Sequence, residues 1–274
     1  MSGSRHFLTI GPRVVVYPFG TAPPVLGEGW LALPMLGSAS PGASLTAPRS
    51  VSASAVVSSP VPSSARPGAV FGDGSHPTTR LCAAAVDLEC RQRPGLAMLD
   101  VGTGTGILAR IARARGASFV VGTDIDPLAV ACSKAHAELD TATAIGATRA
   151  VDTATAADAA AAVGAAAAVD AAAADAANGA IHFGTEPPDH WGAHFDLVVA
   201  NILEAPLHIL APSLCRALRP NGALLISGFT RPQAPALRLT YESAGLKSIG
   251  DFNSEGWVLL KFSAPPPPAH LSFT

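Results

Sequence analysis

The stretch Leu99-Asp100-Val101-Gly102-Thr103-Gly104-Thr105-Gly106 limits this chain to few folds, because it is an apolar strand running into a turn with three alternating glycines. A second apolar run, Phe119 to Thr123, follows and ends on Asp124-Ile125-Asp126-Pro127. Glycines let backbone approach a ligand where any Cβ would clash. A carboxylate at the tip of the next strand accepts hydrogen bonds from both hydroxyls of a ribose. The pair therefore points to a ligand that carries a nucleoside. A dinucleotide fingerprint would read GxGxxG, but the sixth position from Gly102 holds Ile107, so the run is GxGxG. That mismatch argues against a nicotinamide cofactor and against an oxidoreductase.

The rest of the chain alternates as a doubly wound α/β sheet should. The pattern predicts strand Ala97 to Val101, helix Gly106 to Arg115, strand Phe119 to Thr123, and a helix from Pro127 to about Leu139. It then predicts a short strand Ala180 to Phe183 and a buried strand from Phe195 ending at Asn201. Leu207, Leu210, Ala211, Leu214 and Leu218 follow at helical spacing. Pro220-Asn221-Gly222 breaks that helix. Strand Ala223 to Ser227, helix Gln233 to Ala244, and strands near Lys247 to Phe252 and Gly256 to Phe262 close the domain.

Biased segments divide this pattern. Residues 1–36 hold one short strand between Phe7 and Pro18, and residues 37–66 are a Ser/Ala/Pro-rich linker. At Pro67 a loop begins that feeds a helix through Leu81 to Leu88, with Thr78 or Thr79 placed to cap it. The folded domain spans 67–263 and carries an alanine-rich insertion, 141–179, that has no large apolar side chains to anchor it to a core. A Pro-rich tail occupies 264–274. Because so many of the 49% apolar residues are alanines in the insertion, the part able to pack amounts to roughly 150 residues, one domain.

The formal net charge of −2, with no basic run, gives no footprint for nucleic acid. Cys82, Cys90, Cys132 and Cys215 lack metal or CxxC spacing and are read as reduced core thiols, with no metal site. No apolar run suits a membrane helix and the start lacks a secretory core, so a soluble intracellular protein is expected, in the cytoplasm or an organelle. The sequence does not give the oligomeric state.

Gly102, Asp124 and Asn201 each stand at or just after the carboxyl end of a strand, where an open α/β sheet binds its ligands. The GxGxG run resembles that of class I methyltransferases, which hold S-adenosylmethionine (SAM) on this turn and its ribose on the acidic residue. Gly68 to Thr79 resembles the GxAFGTGxHxTT loop of the PrmA-type ribosomal protein methyltransferases, and Asn201-Ile202-Leu203 is similar to their NIL motif. Ile226-Ser227-Gly228-Phe229 and Glu255-Gly256-Trp257-Val258 add weaker likeness. The resemblance implies a Rossmann-like fold with a mostly parallel seven-stranded sheet, an antiparallel last strand and helices on both faces. It implies SAM as cofactor, bound by Thr79, Gly102, Gly104, Asp124 and Asn201, with Asn201 also catalytic as an acceptor of amine hydrogen bonds. It further implies a protein partner, in bacteria the amines of protein eleven of the large ribosomal subunit, with lysine as the expected acceptor.

The chain departs from that pattern at three places. Asp73 stands where the loop usually has threonine, and Glu204 follows the NIL motif where alanine is usual. Of the family's N-terminal ferredoxin-like domain, which grips the substrate, only the last strand is expected. His76 is read as ordering the loop, Glu204 as a helix-terminal charge, and Trp257 as core. A methyltransferase with a non-ribosomal acceptor and a catalytically silent interaction protein are the alternatives.

Overall fold

The computed structural model describes residues 8–18, 26–35, 70–147 and 179–267. The linker, most of the alanine-rich insertion and most of the Pro-rich tail lie outside them.

Strand β4 (Ala97–Val101) forms the middle of the main sheet. From it the chain passes through α2 (Ile107–Ala114) to β5 (Phe119–Thr123), then through α3 (Pro127–Ala147) to β6 (His182–Gly184). It returns to the other side of β4 as β7 (Phe195–Asn201), followed by α4 (Glu204–Ala217), β8 (Leu218–Thr230), α5 (Ala234–Ser243), β9 (Lys247–Ser254) and β10 (Trp257–Ser263). The spatial order is β6-β5-β4-β7-β8-β10-β9. The neighbours from β6 to β8 pair in parallel, and β10 runs antiparallel between β8 and β9. This is the expected seven-stranded, mostly parallel arrangement with an antiparallel last strand. The strand order reverses between β4 and β7, so a crevice opens at the carboxyl ends of those two strands.

The period of two along each strand divides the core. Met98, Leu197, Val199, Leu225 and Leu259 face α1 (Pro77–Gln92) and α2. Leu99, Val198, Ala200, Leu224, Ile226 and Leu260 face α4 and α5. Helices thus cover both faces. Among the described residues no helix is long and apolar enough to cross a membrane.

Four sequence expectations are corrected in detail. The N-terminal segment is a sheet of three strands, with β2 (Val14–Pro18) antiparallel to β1 (Leu8–Gly11) and parallel to β3 (Leu31–Met35). Helix α1 starts at Pro77 and is capped by His76, whose Nδ1 accepts the Thr78 N–H at 3.3 Å, so Thr78 and Thr79 lie inside the first turn. Helix α3 continues past Leu139 to Ala147. Alanines without an anchor nucleate a helix poorly, but extending an anchored one needs no new nucleus. Helix α4 ends at Ala217, before the Pro220-Asn221-Gly222 breaker, and Leu218 already has extended backbone as the first residue of β8.

Of the four free thiols, Cys82 and Cys90 lie in the core, and Cys132 and Cys215 are half-buried. Burial raises Cys90 to about 12 and Cys215 to about 11, which keeps both protonated and unreactive.

A buried ion pair ties the small sheet to the main domain. Arg110 of α2 is 1% exposed and reaches Asp140 of α3 through two bonds of 2.7 Å, while its other amino group meets Met35 Sδ at 3.0 Å and it also donates to the Pro34 carbonyl at 2.6 Å. Asp140 keeps some contact with water, whereas the guanidinium has none. Removing the acid strands a buried charge; removing the base leaves a carboxylate that solvent can reach. Asp140→Ala should therefore cost about 3 kcal/mol or more in urea unfolding, and Arg110→Met about half of that.

Candidate functional site

The glycine turn is built from backbone that a side chain would obstruct. Gly102, Gly104 and Gly106 have φ of 73°, 54° and 77°, in the left-handed region that favours glycine. A Cβ on Gly102 would overlap Ile202, and one on Gly104 would overlap the carbonyl oxygen of Phe71. Three chain segments therefore meet there: the turn after β4, the residues after β7, and the loop ahead of α1. Gly228 in β8, at φ 101°, clears the backbone of Ile202 in the same way.

Two carboxylates brace the turn. Asp124 accepts the Gly104 N–H on one oxygen and the Asp126 N–H on the other, both at 3.0 Å. Asp100 is buried beneath the turn and accepts the Thr103 hydroxyl at 2.7 Å, with its second oxygen unpartnered among the described residues. Desolvation raises the Asp100 carboxyl to about 7, against the opposing effect of its hydrogen bonds.

The loop from Val70 to His76 closes over this turn. Phe71 O accepts the Thr105 N–H at 3.1 Å, and Gly72 O accepts the Thr105 hydroxyl at 2.5 Å. Asp73, the departure from the family loop, accepts both the N–H and the hydroxyl of Ser75, at 2.9 and 2.6 Å. Arg80 fastens the loop from outside, donating to Ser75 O at 2.5 Å and pairing with Glu255 in the β9–β10 turn. From below, Ile10 of β1 packs so closely under Gly74 that a Cβ there would overlap it.

These segments surround a cavity of about 820 Å³, ample for a nucleoside-bearing ligand. Gly102, Gly104, Asp124 and Asn201 all line it, so four of the five residues expected at the site come together. Asn201, last in β7, has its Oδ1 buried without a partner among the described residues. Thr79 is not on the wall. It lies in the first turn of α1 with its hydroxyl buried and unpartnered, and its neighbour Thr78 lines the cavity instead.

Glu204 stands where a helix-terminal charge is expected. It is in the first turn of α4, but Gln233 donates to it and His208 lies 3.7 Å away, and the cavity wall does not include it. Trp257, read as core, lines the cavity edge-on to His76. Its place follows from topology, since the first residue of an antiparallel strand lies at the carboxyl edge of its parallel neighbours. Asp100 and Glu186, the latter on the wall after β6, were not singled out from the sequence. For Asp100 the available signal was an acidic residue in an otherwise apolar strand.

Asp100 generates a prediction. Its carboxyl ionises near 3.8 in the unfolded chain and near 7 in the fold. Between these values the folded state binds more protons, so this group's contribution to stability declines as pH rises through that window and is level above it. Asp100→Asn retains a carbonyl acceptor for Thr103. Urea unfolding at pH 5 and pH 8 should show the parent losing about 3 kcal/mol more than the variant between the two.

Comparison with known proteins agrees with this architecture. The family model described as ribosomal protein L11 methyltransferase (PrmA) matches residues 64–265. The ribosomal protein L11 methyltransferase of Ralstonia pickettii is 37% identical over 194 residues, which is 71% of this chain and 51% of that protein. The protein of that name from Hydrogenovibrio crunogenus is 32% identical over 199 residues, or 72% and 53% of the two chains. The chain thus spans about half the length of these curated relatives. A crystal structure of ribosomal protein L11 methylase from Lactobacillus delbrueckii subsp. bulgaricus has the same fold, with a TM-score of 0.61, 22% identity, and coverage of 95% of this chain and 99% of that one. With the family match running from the loop ahead of α1 through β10, the chain belongs to the PrmA family of ribosomal protein L11 methyltransferases.

Proposed function

We propose that this chain is a SAM-dependent protein N-methyltransferase whose acceptor is an amino group, a lysine, of ribosomal protein L11. The observation that carries the reading is the convergence of Gly102, Gly104, Asp124 and Asn201 on one cavity in a chain that belongs to this family. The chemistry of these residues fits the cofactor. The turn offers Cβ-free backbone, each Asp124 oxygen has acceptor capacity beyond its one N–H, and the Asn201 Oδ1 is unspent. Asp124 would hold the ribose hydroxyls, and Gly102 and Gly104 would pass beneath the ligand. Thr79 enters through the family motif and its free hydroxyl. When bound, SAM supplies an electrophilic methyl group on a sulfonium.

The chain's own part is to select, orient and dry the acceptor. Among the described residues the cavity wall carries Asp124, Asp126 and Glu186 but no lysine or arginine, a balance that attracts a cationic amine. The attacking nitrogen must be neutral, and its proton leaves to water before attack. Asn201 then accepts an N–H and so aims the nitrogen lone pair. Orientation of this kind can account for about 7–11 kcal/mol of a barrier, so no strong base is required. His76 does not serve as one, because its Nδ1 is already occupied by Thr78.

Calorimetric titration with SAM, followed by mass spectrometry of L11 incubated with the chain and SAM, tests the reading. Saturable binding and added methyl groups are expected. Asp124→Ala should weaken SAM binding about 10- to 100-fold, and Asn201→Ala should lower transfer about 100-fold. Binding without transfer to L11, but with transfer to another protein, would reassign the acceptor. A folded chain that does not bind SAM would leave the silent interaction protein.

A further inference from the structure

Three aromatic rings lie in series on the cavity wall. Phe71 and His76 meet edge to face with centroids 5.3 Å apart and planes at 62°, and His76 and Trp257 meet at 4.6 Å and 69°. All three line the cavity that Asn201 also lines. They come from two separate segments, the loop ahead of α1 and the start of β10, which the Arg80–Glu255 pair fastens together. Phe71 is 54% exposed and lines the cavity, so its ring is accessible to a ligand there.

The middle ring is electrically suited to its neighbours. His76 Nδ1 accepts the Thr78 N–H and lies 2.8 Å from the Thr78 hydroxyl, so the hydrogen-bond pattern assigns the neutral tautomer with hydrogen on Nε2. Among the described residues no lysine or arginine lines the cavity, so no cation of the protein's own competes there for the rings. A wall of neutral rings in an acid-lined cavity favours a cation that carries methyl groups over one that carries N–H donors.

We propose that Phe71, His76 and Trp257 form a cation-binding wall that receives the methylated ammonium of the acceptor. This rests on the reading of the acceptor as an amine. Asn201 recognises an amine by its N–H, and each methyl added removes one N–H. The rings gain what the carboxamide loses, since a methyl-clad cation is weakly hydrated and packs on aromatic faces. The wall thus keeps a partly methylated side chain in the cavity.

The test uses the full chain and a probe that needs no turnover: N-acetyl-trimethyllysine methylamide, against its neutral isostere with carbon in place of the ammonium nitrogen. Titration followed by NMR should show the cation bound about 3- to 30-fold more tightly. Trp257→Leu should abolish that preference, Phe71→Leu on the exposed ring should reduce it, and Trp257→Phe should retain it. Equal binding of the two probes, or a preference that survives both leucine variants, overturns the proposal. A second arm compares SAM with its neutral demethylated product. If Trp257→Leu erases that preference and spares the ammonium contrast, the wall serves the sulfonium and the proposal is wrong. A chain that binds no SAM yet shows the ammonium contrast would refute the methyltransferase reading and leave the wall standing.

Discussion

The site depends on the close crossing of three backbones at the reversal between β4 and β7. The turn after β4 can pass under the loop ahead of α1 and beside the residues after β7 only because Gly102 and Gly104 lack side chains. Hydrogen bonds from the turn's N–H groups to Asp124 and to Phe71 O then fix it from both sides. Once these contacts exist, the cavity, the position of Asn201 at the end of β7 and the approach of Trp257 from β10 follow from the order of the strands.

Most of this architecture is legible in the sequence because its signals are local. The bounds of β4 and β5 follow from apolar runs, and the glycines and Asp124 from their spacing. The features that local pattern does not reveal depend on distant partners. Strand β3 contains Pro34 and is separated from β2 by a stretch without pattern, so its pairing with β2 leaves no mark on its own residues. The extension of α3 needs an anchor at its start. Trp257 looks like core in a strand that alternates, and only the antiparallel insertion of β10 puts it at the cavity. Thr78 and Thr79 both look like caps, and which one reaches the cavity depends on the helix starting at Pro77.

The N-terminal sheet is more than an appendage to this plan. Arg110 and Asp140 hold β3 to α2 and α3, and Ile10 of β1 packs under Gly74 in the loop that closes the cavity. Arg80 and Glu255 hold the same loop from the opposite side. The loop is therefore positioned by segments from both ends of the described chain.

The obstacle above Gly104 is a carbonyl oxygen, not a side chain. A side-chain clash can be relieved by trimming the partner, but every amino acid at position 71 brings the same oxygen to the same place. No second substitution can restore room for a side chain at position 104. Drift at the two positions is therefore uncoupled: Phe71 is free to change according to what its ring contacts, while Gly104 is confined by geometry common to all residues.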